Sequence, residues 1–130
     1  MPEELVQLLL SLAAVVVLVL IVRAMRLGAG PAMAGPDDAR RAAALVADDF
    51  DPIDVAIDRS GAAALLLDRD GRILLLRTHG AHVAGRVLDM RATAWLEDEA
   101  LVVDPADRRF GRVHLHLAEP EHWKTRVGRL

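Results

Sequence analysis

The chain has 130 residues and a formal net charge of −3, from 16 basic and 19 acidic residues. It has no cysteine, which excludes disulfide frameworks, thiolate metal sites and cysteine nucleophiles. A nucleic-acid binder concentrates basic charge on one face and stacks bases on aromatic rings. An acidic chain with two Phe, two Trp and no Tyr offers neither, so no nucleic-acid partner is expected.

From Leu5 to Val22 the sequence reads LVQLLLSLAAVVVLVLIV, interrupted only by Gln7 and Ser11. As a helix at about 1.5 Å per residue this run is roughly 27 Å long, close to the hydrocarbon thickness of a bilayer. A buried soluble helix and a cleaved signal peptide are the competing readings. A secretory signal opens on a basic segment, whereas this sequence opens Met1-Pro2-Glu3-Glu4, and the small-residue motif Ala32-Met33-Ala34 stands well beyond the apolar run. A transmembrane anchor over residues 1–26 is therefore predicted, with the lipid bilayer as partner of Leu5 to Val22. Arg23 and Arg26 follow the span, with Arg40 and Arg41 further on, and no Lys or Arg precedes it. Basic residues stay on the cytoplasmic side, which predicts a cytoplasmic soluble domain.

Leu27 to Pro36, LGAGPAMAGP, is an uncharged run of small residues and proline, predicting a flexible linker over 27–36. Pro36-Asp37-Asp38 opens a short helix expected over 37–50. Proline and acidic residues suit its first turn, and Ala39, Ala42, Leu45 and Val46 form a narrow apolar stripe.

After Pro52 the pattern changes to strands. Ile53–Asp58 alternates with period 2. Ala62–Leu67 and Arg72–Arg77 flank Asp68-Arg69-Asp70-Gly71, the clearest hairpin signal in the chain. His82–Met90 follows a turn at His79-Gly80. Ala92–Leu96 and Ala100–Asp104 are separated by Glu97-Asp98-Glu99, and Asp104-Pro105-Ala106-Asp107 turns the chain into Phe110–Leu117. Glu119-Pro120-Glu121 then starts a closing helix with Trp123, Val127 and Leu130 on one stripe. The predicted fold is mainly β, a barrel or sandwich over 51–130 with a C-terminal helix, preceded by one transmembrane helix.

Seven antiparallel strands followed by one amphipathic helix, over Ile53 to Leu130, resemble the pleckstrin-homology-like barrel in element order. The resemblance implies two bent sheets and a last helix that plugs one open end, here through Trp123. Phosphoinositide-binding members carry a basic cluster in the first hairpin loop. This sequence offers only Arg59 in the first loop and Arg69 and Arg72 at the next, so headgroup recognition is not implied.

Histidines are the first candidates for chemistry. His114 and His116, two apart on a strand, share one face and could chelate a metal with His79, His82 or a carboxylate as third ligand. The simpler reading places them on the solvent face, alternating with Val113, Leu115 and Leu117. Asp68-Arg69-Asp70-Gly71 opens like a calcium loop but lacks the later ligands and the closing Glu. No Gly-x-Ser-x-Gly elbow, phosphate loop or dinucleotide fingerprint occurs, and no cofactor is expected. Arg77 to Arg86, RTHGAHVAGR, packs two histidines, two glycines and two arginines into one stretch of a β domain. Such composition lets a ligand or partner approach the backbone, making Arg77, His79, His82 and Arg86 partner-binding candidates. The simpler reading is a turn with a β-bulge at Gly85.

The expectation is a non-catalytic accessory or scaffold protein of the bacterial inner membrane, whose β domain binds another protein within or beside a membrane complex. The span carries no charged residue, which argues against transport. The alternative is a membrane-tethered metal-dependent enzyme using the His114-x-His116 strand.

Overall fold

A computed structural model describes residues 2–29, 33–80 and 82–130, with side chains at 2–24, 33–80 and 82–130. Two units are present, Met1–Gly30 and Pro31–Leu130. The first contains helix α1 (Glu3–Ala29), with Glu3 and Glu4 in its first turn, where negative charge suits the helix dipole. Its segment Glu3–Ala24 is long and apolar enough to cross a membrane, and none of that stretch is buried within the protein. The helix continues past the expected end at 26, so Leu27, Gly28 and Ala29 are helical rather than the start of a tether. Extending an existing helix adds a hydrogen bond for each residue fixed, which outweighs the weak propensity of a single Gly28. The expected linker residues 30–32 lie outside the described residues.

The second unit opens with helix α2 (Pro36–Val46), which carries Pro36, Asp37 and Asp38 in its first turn. It closes at Val46, short of the expected 50. Its buried stripe is Ala39, Ala42 and Ala43, while Leu45 is 89 % exposed. Leu45 was expected on that stripe. A period of 3.6 keeps 39, 42, 43 and 46 on one face and turns 45 away.

Seven strands follow: β1 (Pro52–Ile57), β2 (Ala63–Asp68), β3 (Ile73–His79), β4 (His82–Val87), β5 (Thr93–Glu97), β6 (Ala100–Asp104) and β7 (Val113–Leu115). They form two antiparallel sheets in sequential order, β1-β2-β3-β4 and β5-β6-β7. The hairpin predicted at Asp68-Arg69-Asp70-Gly71 is present, closed by Leu67 opposite Ile73. Gly71 has φ +84, a left-handed conformation that side chains disfavour. Pairing of β3 with β4 runs unbroken from Leu74–Val87 to His79–His82, so the bulge expected at Gly85 is not there. The one register shift of the larger sheet falls in β1, between Pro52 and Asp54.

β2 and β3 are apolar on both faces because both faces are covered. Leu65, Ile73 and Leu75 point into the main core with Leu101, Val103, Val113 and Leu115 of the smaller sheet. Ala64, Leu66, Leu74 and Leu76 point the other way, against Ala39, Ala42, Ala43, Phe50 and Met33. Alternation of period 2 sorts one Leu-rich run onto two cores. Gly85 is explained here. A Cβ on it would stand 2.6 Å from Cγ1 of Val46 and 2.9 Å from Cδ2 of Leu76, so the end of α2 rests on bare backbone.

Helix α3 (Pro120–Gly128) closes the unit, with Trp123 and Val127 buried in the main core and Leu130 packed beside them. The Arg126 guanidinium lies 4.7 Å from the centre of the Trp123 ring and donates to Oδ2 of Asp54 at 2.6 Å, tying α3 to β1.

Candidate functional site

Arg77, His79, His82 and Arg86 sit on the β3–β4 hairpin, with Arg77 paired to Ala84 and His79 to His82. The two arginines converge. Arg77 donates to the carbonyl of Phe110 at 2.5 Å, and Arg86 donates through Nε to Oδ2 of Asp107 at 2.9 Å. Their guanidinium groups stand 5.9 and 5.4 Å from the centre of the Phe110 ring. Phe110 is buried, and its loop is shaped by Asp107, whose Oδ1 accepts the N–H groups of Arg109 and Phe110. The Arg86 side chain, then those two backbone donors, hold the Asp107 carboxyl below the usual aspartate range. β3 and β4 thus clamp the β6–β7 loop of the other sheet. His79 and His82 are exposed. With Arg77, Ala84, Arg86, Arg109 and Phe110, His79 lines a shallow cleft at this end of the domain.

Asp107 and Phe110 are the centre of this arrangement, and the sequence reading treated them as turn and strand. The available signal was Asp107-Arg108-Arg109-Phe110, an acceptor side chain placed two and three residues ahead of backbone donors, the pattern of a self-capped turn.

His114 and His116 are exposed and alternate with the buried Val113 and Leu115, as their solvent-face reading anticipates. Among the described residues, no three His, Asp or Glu side chains come together in a metal-holding group. His116 instead faces Asp58, its Nδ1 3.5 Å from Oδ1. Asp58, at the end of β1, is 7 % exposed and accepts the His116 backbone N–H at 2.5 Å. It also accepts the backbone N–H and the hydroxyl of Ser60. Burial pushes the Asp58 carboxyl up, but the donors from His116 and Ser60, with the nearby imidazole, outweigh it and leave the value lowered.

Asp68 fills a parallel structural role. It is 2 % exposed and accepts N–H groups of Asp70 and Arg72 and, at 2.6 Å, Nε of Arg72. Arg72 reaches on to Asp49 and lies 5.6 Å from the Phe50 ring centre, fastening the α2–β1 loop to the hairpin. Its two carboxylate partners, Asp68 first, raise its already high value.

At the other end of the smaller sheet, Leu96 of β5, Glu99 of the β5–β6 turn and Glu119, Pro120, Glu121 and His122 at the start of α3 line an open groove. Leu96 supplies an exposed apolar wall. Among the described residues none of Glu97, Asp98, Glu99, Glu119 and Glu121 forms an ion pair, while nine Asp side chains of the domain do so with arginine. In the sequence these acidic residues belong to a turn, Glu97-Asp98-Glu99, and to a helix start, Glu119-Pro120-Glu121. Only the packing of α3 beside β5 brings the two clusters together.

Comparison with models of known protein families, with curated proteins and with solved structures finds no match.

Proposed function

We propose that this chain is a single-span membrane protein whose small β domain is a non-catalytic binding module, acting as an accessory or scaffold within or beside a complex of the bacterial inner membrane. The observation that carries the reading is α1, whose apolar segment Glu3–Ala24 has no cover within the protein. So long an apolar surface needs a nonaqueous environment, and a helix satisfies its backbone groups there by itself. Arg23 and Arg26 support a cytoplasmic domain. A pleckstrin-homology-like arrangement is supported by the four-plus-three strand order and by α3, whose Trp123 enters the core. The buried carboxylates Asp58 and Asp68 are engaged with donors of their own loops and neighbouring strand, which supports a binding rather than a catalytic role. Arg77, His79, His82 and Arg86, at the clamped end, remain the proposed partner face.

The test is carbonate extraction of the full chain from membranes, with a reporter active only in the cytoplasm fused after Leu130. Retention in the pellet with an active reporter is expected. Release into the supernatant, or activity only from a periplasmic reporter, overturns the anchor or its orientation respectively.

A further inference from the structure

The domain carries opposite unpaired charge at the two ends of one sheet. One end is the groove walled by Leu96 and Pro120 and rimmed by Glu99, Glu119 and Glu121, with Glu97 and Asp98 beside it. Lys124 of α3 is the cation nearest in sequence to the groove, too little to neutralise five carboxylates. The other end, past Asp104, is the β6–β7 loop, where Arg108 and Arg109 stand exposed and form no ion pair among the described residues. β6, Ala100–Asp104, separates the two ends by about 13 Å at about 3.3 Å per residue. Asp107 and the clamp on Phe110 hold the arginine turn in a fixed shape.

We infer that the groove receives the Arg108-Arg109 turn of a second copy of this chain, so that copies associate head to tail. The aliphatic stems of the arginines suit the Leu96 and Pro120 wall while their heads reach the carboxylates. Because the two surfaces differ, the contact is heterologous, and each copy that docks leaves one groove and one turn free for the next. Exposed charge pairs are weak individually. The inference rests on the anchored reading, because confinement to one bilayer raises the effective concentration that such a contact needs.

The experiment uses the full chain in neutral phosphatidylcholine vesicles, labelled at Asp48→Cys, an exposed position in a chain without cysteine. Energy transfer between donor and acceptor copies should exceed the level for random distribution and fall at least about tenfold in excess signal between low and high salt. The groove variant Glu99→Arg/Glu121→Arg and the loop variant Arg108→Glu/Arg109→Glu should each fall to the random level, with melting temperatures confirming that both fold. An equal mixture of the two variants should restore transfer, since each then meets an opposite charge. Random transfer for the unaltered chain, or a mixture that fails to recover, overturns the inference. Capture of a different protein that depends on the groove, with transfer still random, also overturns it. Flotation with the vesicles is scored separately, and its loss in the unaltered chain counts against the anchor rather than the contact.

Discussion

The carboxylate of Asp58 accepts the backbone N–H of His116 at 2.5 Å across 58 residues of chain, joining the β1–β2 turn to the end of β7. Arg59 donates its N–H to the carbonyl of His116 in return, and Met33 donates to the carbonyl of Gly61 in the same turn. One buried carboxylate thereby fixes where the two sheets meet. Arg77 and Arg86 make a further polar tie between the sheets through the Phe110 loop, while Arg126 with Asp54 ties α3 to β1.

Acid should loosen this junction in a definite direction. The folded Asp58 value is lowered, so its contribution is full above the ordinary aspartate value of 3.8 and is lost as pH falls through the lower folded value. Asp58→Asn presents an N–H₂ group among donors and should cost about 2–3 kcal/mol at neutral pH. Melting temperature measured from pH 7 down to 2.5 should start lower in the variant and fall less steeply below about pH 4. Parallel curves for the two proteins would remove Asp58 from the junction.

The arginine clamp predicts a division within the β3–β4 segment. Arg77→Ala leaves the Phe110 carbonyl without its donor and the ring with only one of its two cations, Arg86, and should destabilise by about 1–3 kcal/mol. His79→Ala and His82→Ala alter exposed side chains and should stay within about 0.5 kcal/mol. Denaturant midpoints measure both. If a partner binds here, the histidine variants are the ones that lose it without losing stability.

At Gly85 the constraint is space. Gly85→Ala drives a Cβ into Val46 and Leu76 and should cost about 1–3 kcal/mol. Val46→Ala, mild by itself because Val46 is 37 % exposed, should recover part of that loss in the double variant. Additive losses in the double-mutant cycle would mean that α2 does not rest on Gly85.

These relationships show where sequence patterns reach and where they stop. The hairpin at Asp68-Arg69-Asp70-Gly71, the seven strands and α3 are encoded locally, by turn chemistry and by periods of 2 and 3.6, and were legible. Leu45 was misplaced because Ala39 to Val46 permits two neighbouring stripes, and only the sheet beneath selects the all-Ala one. The covering of β2 and β3 on both faces could be suspected from their unbroken Leu runs, but that α2 is the second cover is shown only by the packing of Ala39, Ala42 and Ala43 on Leu66, Leu74 and Leu76. The sequence places Asp58 only at the end of the alternating strand Ile53–Asp58. Its partner is 58 residues away, and no local pattern announces it. The groove at Leu96 and Pro120 was hidden for the same reason, since its two acidic clusters belong to different elements.

Trp123 gives the sharpest test of how α3 is used. It is 3 % exposed, packed in the main core with Val127, Leu101 and Leu115, and its ring is covered by Arg126. Truncating a buried Trp removes its burial and leaves a cavity, together about 3–5 kcal/mol. A domain of this size has about 5–15 kcal/mol in total, so Trp123→Ala should melt far lower and could unfold outright. A second substitution keeps the test decisive if the first does not fold. Trp123→Phe retains a ring and most of the apolar volume and should lose less than half as much. Arg126→Ala, which removes the guanidinium cover and the link to Asp54, should be milder again, at about 1–2 kcal/mol for a partly exposed pair. The expected order of melting temperatures is therefore the unaltered chain, Arg126→Ala, Trp123→Phe and last Trp123→Ala. An unchanged melt for Trp123→Ala, with loss of a bound partner instead, would make α3 a docking surface rather than the helix that completes the core.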